Sequence, residues 1–237
     1  MNIKLEVTAD GSHTLVNSLL DESYHVFKGA LTESVYVYIE AGLVPMAARK
    51  RTLRILEVGF GTGLNVLLTQ QKAGALELET HFTTLEPFPL DDDIVAALNY
   101  VDCLAALGGY GDRHTLARRF SALHQAPWDS ETELHRFRLH KIRSRLEEQR
   151  FSPESFDLIY FDAFAPAKQP ELWAAENFIN LFNALSPEGL LVSYCANGQF
   201  KRDLKAAGFR VESYPGPMGR RHMTRAWKDS VSSLSLT

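Results

Sequence analysis

Cysteine is scarce in this chain of 237 residues: there are two, Cys103 and Cys195, far apart. Such a pair makes neither a disulfide framework nor a metal-ligand cluster. The expectation is a reduced, cytoplasmic protein without a metal. Long apolar runs are missing as well. None approaches the roughly 18 residues of a membrane span, and the first residues lack a basic-then-apolar signal pattern. No membrane partner is expected. An excess of positive charge is also absent, since 25 Lys and Arg face 29 Asp and Glu, a net charge of -4. That excludes a broadly basic nucleic-acid binder and leaves only a local basic patch. No internal repeat, low-complexity segment or linker stands out, and the length suits one α/β domain with decorations.

What is present is a glycine-rich turn, Glu57-Val58-Gly59-Phe60-Gly61-Thr62-Gly63-Leu64-Asn65. The apolar run Ile55 to Val58 leads into it, and Leu64, Leu67 and Leu68 continue at helical spacing. This reads as strand, tight turn, helix. A phosphate-cradling loop would need Lys and Ser/Thr where Leu64 and Asn65 stand. A dinucleotide fingerprint would need its last glycine at Leu64. The remaining pattern, E-x-G-x-G-x-G, resembles motif I of class I S-adenosylmethionine (SAM) methyltransferases. Glu57, Gly59, Phe60, Gly61, Gly63 and Asn65 are the expected cofactor-binding residues. A carboxylate at Glu57 suits the ammonium of the cofactor's methionine end and would oppose a pyrophosphate. The competing reading is a glycine-rich turn with no ligand.

Along the rest of the chain, residues 1–50 read as an N-terminal extension over the carboxyl edge of a sheet. Asp10-Gly11-Ser12 is a turn, and Val35 to Leu43 suits a helix. His25 is a candidate substrate contact or a satisfied structural histidine. Residues 51–228 form the main domain, and the Ser-rich residues 229–237 read as a flexible tail. His81 to Pro87 reads as a second strand ending in Glu86, placed to hold ribose hydroxyls. A helix is expected from Asp91 to Leu107, and 110–133 is irregular. Leu134 to Ile142 reads as a third strand, and no carboxylate follows it until Glu147, so adenine recognition falls to the backbone or Ser144. Phe156 to Asp162 is a buried-strand pattern ending in an acid, followed by a loop stiffened by Pro166 and Pro170. A helix over 171–185, a strand over 190–195, a helix carrying Lys201, Arg202 and Lys205, and a closing hairpin complete the order. The architecture is α/β: a Rossmann-like, doubly wound, mostly parallel sheet with a C-terminal antiparallel hairpin.

Five segments narrow the family. They are Asp10-Gly11-Ser12-x-Thr14, Tyr24-His25, Asp162-Ala163-Phe164-Ala165-Pro166, Ser193-Tyr194-Cys195-Ala196-Asn197-Gly198 and Pro215-Gly216-Pro217-x-Gly219-Arg220-Arg221. With the glycine turn, they resemble the methyltransferase domain of the MnmC family of tRNA wobble-uridine enzymes. The resemblance covers nearly the whole chain. It implies methylation, by SAM, of the aminomethyl group on a wobble uridine in the tRNA anticodon stem-loop, giving 5-methylaminomethyl-2-thiouridine and S-adenosylhomocysteine. In bifunctional relatives an FAD-dependent oxidase domain prepares that amine. A stand-alone methylase is expected here, with a separate enzyme supplying the aminomethyl-uridine tRNA.

A sulfonium methyl is already activated, so such a site chiefly aligns donor and nucleophile. A primary amine attacks through a free lone pair. Asp162 is therefore the expected catalytic residue, accepting or steering the proton while also bordering the cofactor. Phe164 would support the flipped base. His25, Tyr194 and Lys168 are further substrate candidates, and Lys201, Arg202, Arg220, Arg221 and Arg225 form the expected RNA-facing basic surface. Three alternatives stay open: an aminopropyltransferase, a small-molecule amine methyltransferase on the same fold, and a non-catalytic tRNA-binding module.

Overall fold

The computed structural model describes residues 3–219 and 221–230. Arg220 and most of the expected flexible tail lie outside them. Strands β1 (Ile3–Val7), β2 (His13–Asn17) and β3 (Glu22–Ser23) form a small antiparallel sheet of their own. The sequence reading did not foresee it, because these strands are short and polar residues interrupt them. A continuous helical run follows: α1 (Ala30–Ser34), a π-helical segment Val35–Leu43, and α2 (Val44–Ala47).

The turn Asp10-Gly11-Ser12 caps that run. The Ala30 N–H donates to Thr8 Oγ1 at 3.2 Å, Leu31 N–H to Ser12 Oγ at 3.1 Å, and Thr32 N–H to Asp10 Oδ2 at 2.9 Å. Three otherwise orphaned helix donors are thus satisfied from one loop. Burial would raise the Asp10 carboxyl, but bonds from Ser12, Thr32 and Thr8 outweigh it and hold the pKa at about 2.

The main sheet contains β4 (Thr52–Val58), β5 (Glu79–Leu85), β6 (Ser130–Glu133), β7 (Phe137–Ile142), β8 (Phe156–Phe161), β9 (Leu185–Ser193), β10 (Arg210–Pro215) and β11 (His222–Trp227). Their spatial order is β10-β11-β9-β8-β4-β5-β7-β6. The central strands β7, β5, β4, β8 and β9 pair in parallel. The last strand, β11, returns antiparallel between β9 and β10. From β4 the chain winds outward to β5 and β7 on one side and then returns to β8 and β9 on the other, and this reversal of winding opens a crevice at the carboxyl ends of β4 and β8.

Strand alternation explains why both faces are covered. Leu53 and Ile55 of β4, with Leu158 and Tyr160 of β8, pack on one face. That face carries the 30–47 run, α3 (Leu64–Ala75), α5 (Tyr100–Leu107) and α6 (Arg113–Gln125). Leu56, Val58, Ile159 and Phe161 pack on the other, under α7 (Ala175–Ala184) and α8 (Gly198–Ala206). Leu64, Leu67 and Leu68 of α3 are at most 1% exposed, each contributing on the order of 2 kcal/mol of apolar burial.

Several boundaries differ from the sequence reading. The stretch read as irregular contains α6, whose Asp112 caps it by accepting from the Thr115 N–H at 3.0 Å. Its buried Leu116, Phe120 and Leu123 follow helical spacing, a signal that was legible. The single helix expected from Asp91 is two, α4 (Asp92–Ala96) and α5, with a break at 97–99. The expected helix over 171–185 starts as a 3-10 turn, Pro170–Trp173, before α7. The strand expected from Leu190 starts at Leu185, because a bulge absorbs Pro187 and Gly189.

Candidate active site

The glycine turn sits at the carboxyl end of β4. The Gly59 and Phe60 N–H groups both donate to the Leu85 carbonyl, at 3.0 and 3.1 Å, and Asp162 N–H donates to Val58 O at 3.1 Å. One hub therefore ties together the ends of β4, β5 and β8. Gly59 has φ +98, and a Cβ there would stand 2.6 Å from the Asp162 carbonyl, so only glycine fits. A Cβ on Gly61 would stand 3.2 Å from the Tyr24 ring, and both residues border a cavity.

That cavity is about 450 Å³, the size of an ordinary small-ligand site. Gly59, Phe60, Gly61, Asn65, Glu86 and Asp162 line it, as do His25, Phe164, Lys168 and Tyr194. The fold thus gathers ten of the residues singled out in the sequence from five separate segments. Gly63 is not among the lining residues; it caps α3 in the left-handed conformation, φ +73.

Asp162 sits at the floor. Its Oδ1 accepts from Tyr38 Oη at 2.6 Å and its Oδ2 from Asn65 Nδ2 at 2.8 Å. Burial pushes the carboxyl up to about 7 despite those two bonds, and Glu33 adds to the rise. Glu86 Oε2 accepts from Gly61 N–H at 3.0 Å and Oε1 from Phe88 N–H at 2.9 Å. Each oxygen keeps a second lone pair for a ligand hydroxyl. Burial raises its pKa, against those two backbone bonds.

Glu57 is placed differently from the sequence expectation. It is fully buried, does not line the cavity, and accepts from Thr84 Oγ1 at 2.7 Å. Burial drives its pKa well above the ordinary range, with Asp162 and Glu86 adding to the rise, which favours the neutral acid. Position 57 shares the face of β4 that carries Leu53 and Ile55, and the second carboxyl oxygen, Oε1, has no partner among the described residues.

His25 is 8% exposed, with Nδ1 3.3 Å from Thr14 Oγ1, and burial lowers its pKa to about 4. It is a neutral imidazole at the cavity wall. Phe164 meets Tyr24 edge to face at 5.0 Å, and Tyr194 Oη donates to Ala163 O at 2.9 Å. Lys168 Nζ lies 3.6 Å from Asp21 Oδ2 at the tip of the N-terminal hairpin.

The expected basic surface is only partly assembled. Lys201 donates to Ser213, and Arg202 folds onto Gln199; neither lines the cavity. Arg225 stacks on Tyr214 and Trp227 and lies 3.5 Å from Glu212, with its side chain 12% exposed. It is packed into the β10–β11 hairpin rather than displayed to solvent with the other expected cations. Arg221 is exposed beside the carboxyl end of β9.

Sequence reasoning missed Tyr38, Glu22, Glu33 and Glu171, all set around Asp162 or its cavity. A tyrosine among apolar helix residues reads as core, and an acid on a buried helix face is visible only once packing is known. Glu147, noted as arriving late after the third strand, also lines the cavity, and its buried Oε2 has no partner among the described residues. Such an oxygen fits an exocyclic amine.

A doubly wound sheet with this glycine turn and a ribose-suited acid on the next strand is the fold of the SAM-dependent methyltransferases. Residues 115–229 match a family of S-adenosyl-L-methionine-dependent methyltransferases. The chain is 31% identical over 222 residues to the tRNA 5-methylaminomethyl-2-thiouridine biosynthesis bifunctional protein MnmC of Cupriavidus necator. That match covers 87% of this chain and 32% of the relative, so the chain spans about a third of the curated relatives' length. The structure of MnmC2 from Aquifex aeolicus is similar with a TM-score of 0.75 at 26% identity, covering 95% of this chain and 69% of that one. Spermidine synthase from Thermotoga maritima, 13% identical with a TM-score of 0.52 over 95% of this chain and 72% of that one, shares the fold alone. SAM is the cofactor. The glycine turn, the two-oxygen acid Glu86 and the unpartnered Glu147 oxygen fit its methionine, ribose and adenine parts.

Proposed function

We propose that this chain methylates the primary amine of an aminomethyl group on the wobble uridine of tRNA, yielding 5-methylaminomethyl-2-thiouridine and S-adenosylhomocysteine. The observation that carries the reading is Asp162, held by two neutral donors, with a pKa near neutrality, on the floor of the cofactor cavity. Bound SAM supplies an electrophilic methyl on a sulfonium. The acceptor nitrogen forms the new C–N bond as the C–S bond breaks and sulfur keeps the pair. The amine's surplus proton passes to Asp162, whose pKa suits a base at neutral pH.

The remaining residues take supporting parts. Gly59 to Gly61 and Asn65 hold the methionine end, Glu86 the ribose hydroxyls, and Glu147 with Ser144 the adenine edge. Glu22, Glu33 and Glu171 give the acceptor end an acidic wall that suits a cationic amine. Tyr24 and Phe164 offer ring faces and edges to the extruded base. Lys168 and Arg221 meet anticodon phosphates, with Arg220 next to Arg221 in the sequence and Lys201 and Arg202 as further cations on α8. No helix among the described residues is long and apolar enough to cross a membrane. The enzyme would work in the cytoplasm on tRNA already carrying the aminomethyl group, supplied by a separate enzyme.

The acidic wall also suits a polyamine, so the test must separate acceptors. Protein, labelled SAM and tRNA bearing aminomethyl-uridine are incubated, and the nucleosides are resolved by mass spectrometry. The expected result is one labelled methyl on the wobble nucleoside. Label on a free polyamine with none on the RNA would overturn the reading.

A further inference from the structure

The helical run over residues 30–47 changes pitch in its middle. Nine residues, Val35–Leu43, follow the π pattern, which is rare at this length and recurs at functional sites. Tyr38 lies within it. Its side chain is 1% exposed, and its ring packs on Tyr160 with centroids 5.1 Å apart. The hydroxyl makes one short bond, donating to Asp162 Oδ1 at 2.6 Å. A buried phenol that gives its proton to a carboxylate does little for packing that phenylalanine would not do. Its distinct contribution is to the charge and orientation of that carboxylate.

The groups facing Asp162 make the contribution specific. Glu33 from α1 disfavours a negative charge on Asp162, while Asp162 in turn helps to keep the buried Glu57 from β4 and Tyr194 beyond β9 in their neutral, protonated forms. Lys168, on the same loop, is paired with Asp21. Among the described residues two donors reach the carboxylate, Tyr38 and Asn65, one to each oxygen. Burial keeps the Tyr38 hydroxyl protonated far above its usual range, with Asp162 adding to the effect, so it acts as a donor throughout the physiological range. One lone pair on each Asp162 oxygen stays available to an amine.

We propose that Tyr38 is a positioning residue for the methyl transfer: its hydroxyl fixes the Asp162 carboxylate and keeps it ionised, so that it can take the acceptor amine's proton. This rests on the reading of Asp162 as the amine's partner. The π segment is then the device that brings the hydroxyl to Oδ1.

Tyr38→Phe tests this with the ring packing kept. Removing a donor to the charged form raises the Asp162 pKa, so the acid limb of the kcat–pH profile moves up by about one pH unit or more. Such a move leaves roughly a fifth of the ionised carboxylate at pH 7. The loss should vanish at higher pH, with SAM affinity by calorimetry and the KM for tRNA unchanged. A ring-fluorinated tyrosine at position 38, a stronger donor, should move the limb down, and it keeps the test alive if the phenylalanine variant folds poorly. Carboxyl carbon NMR of Asp162, assigned with Asp162→Asn, reads the same titration without any acceptor present. A uniform loss at every pH, or no change in limb and NMR titration with either variant, overturns the role of Tyr38. Normal methylation by Asp162→Asn would instead overturn the reading of Asp162, and the role of Tyr38 with it.

Discussion

Asp157 and Asp162 stand at opposite ends of β8, and their fates diverge. Asp157, near the strand's amino end, has a side chain 2% exposed. Burial would raise its pKa, but Arg54, Lys50, the Arg54 backbone N–H and Ser186 together hold it far below the ordinary range. Lys50 Nζ lies at 2.6 Å, and Arg54 reaches both oxygens, Nε to Oδ2 at 3.1 Å and Nη2 to Oδ1 at 3.0 Å. Asp162, beyond the carboxyl end, receives among the described residues a phenol and an amide, and burial wins, lifting its pKa to about 7. The burial penalty is similar in kind at both ends; the presence of cations decides the outcome. The amino end is thereby locked as an ion pair, and the carboxyl end is left able to exchange a proton.

The largest expected effect comes from breaking the reactive end. Asp162→Asn should lower turnover by roughly 10²-fold or more, with SAM binding little changed. Wild-type activity should climb through about pH 7 as Asp162 ionises, and the variant should regain activity at high pH, where solvent takes the proton. The stability effect should have the opposite sign. A folded pKa raised above the unfolded value of roughly 3.9 means stability falls as pH rises from about 4 towards 7. Asp162→Asn should therefore melt higher than wild type at pH 7, and a lower melting point there would contradict the raised pKa.

Breaking the locked end should show the reverse pattern. Asp157→Asn removes the charge from a carboxylate that holds two cations and a serine, and should cost about 2–3 kcal/mol of stability. Turnover per folded molecule should stay near wild type. The folded pKa is depressed, so this stability is fully present above roughly pH 4 and is lost as pH falls through the lower folded value. Denaturation in urea at pH 7 and again at pH 3 checks it: the gap between wild type and variant should shrink at pH 3. An equal gap at both would remove the ion pair from the explanation.

The same strand shows what a sequence can and cannot reveal. Phe156 to Asp162 reads as a buried strand ending in an acid, and the glycine turn and Glu86 read as a cofactor site, because short-range patterns fix them. Five segments expected at the site do line one cavity. Whether an acid is locked or reactive is a long-range matter. Arg54 lies 103 residues before Asp157 and Tyr38 lies 124 before Asp162. Glu57 stands behind the cavity lining rather than in it, because strand alternation puts position 57 on the face of β4 shared with Leu53 and Ile55. Arg225 looked like a free cation until the β10–β11 hairpin stacked it on Tyr214 and Trp227. The π segment has no periodic signature distinct from an ordinary apolar helix.

The smallest expected effect asks whether RNA meets one end of the sheet only. Arg221 precedes β11 beside the carboxyl end of β9, on the side of Asp162 and the cavity. Lys50 precedes β4 at the opposite edge, where it already neutralises Asp157. Both are cations on a protein of net charge -4, so bulk charge alone makes their removal equivalent. Local phosphate contact does not. Each phosphate neutralised adds roughly 0.7 to 0.9 to the slope of log affinity against log salt. Arg221→Ala should lower the slope for tRNA by about that amount, with a modest loss of affinity at low salt. Lys50→Ala should leave the slope unchanged while slightly lowering the melting temperature, because it loosens the Asp157 ion pair. Equal slope changes in both variants would mean that the RNA senses only overall charge, and the division of the sheet into a locked end and a reactive, RNA-facing end would fail.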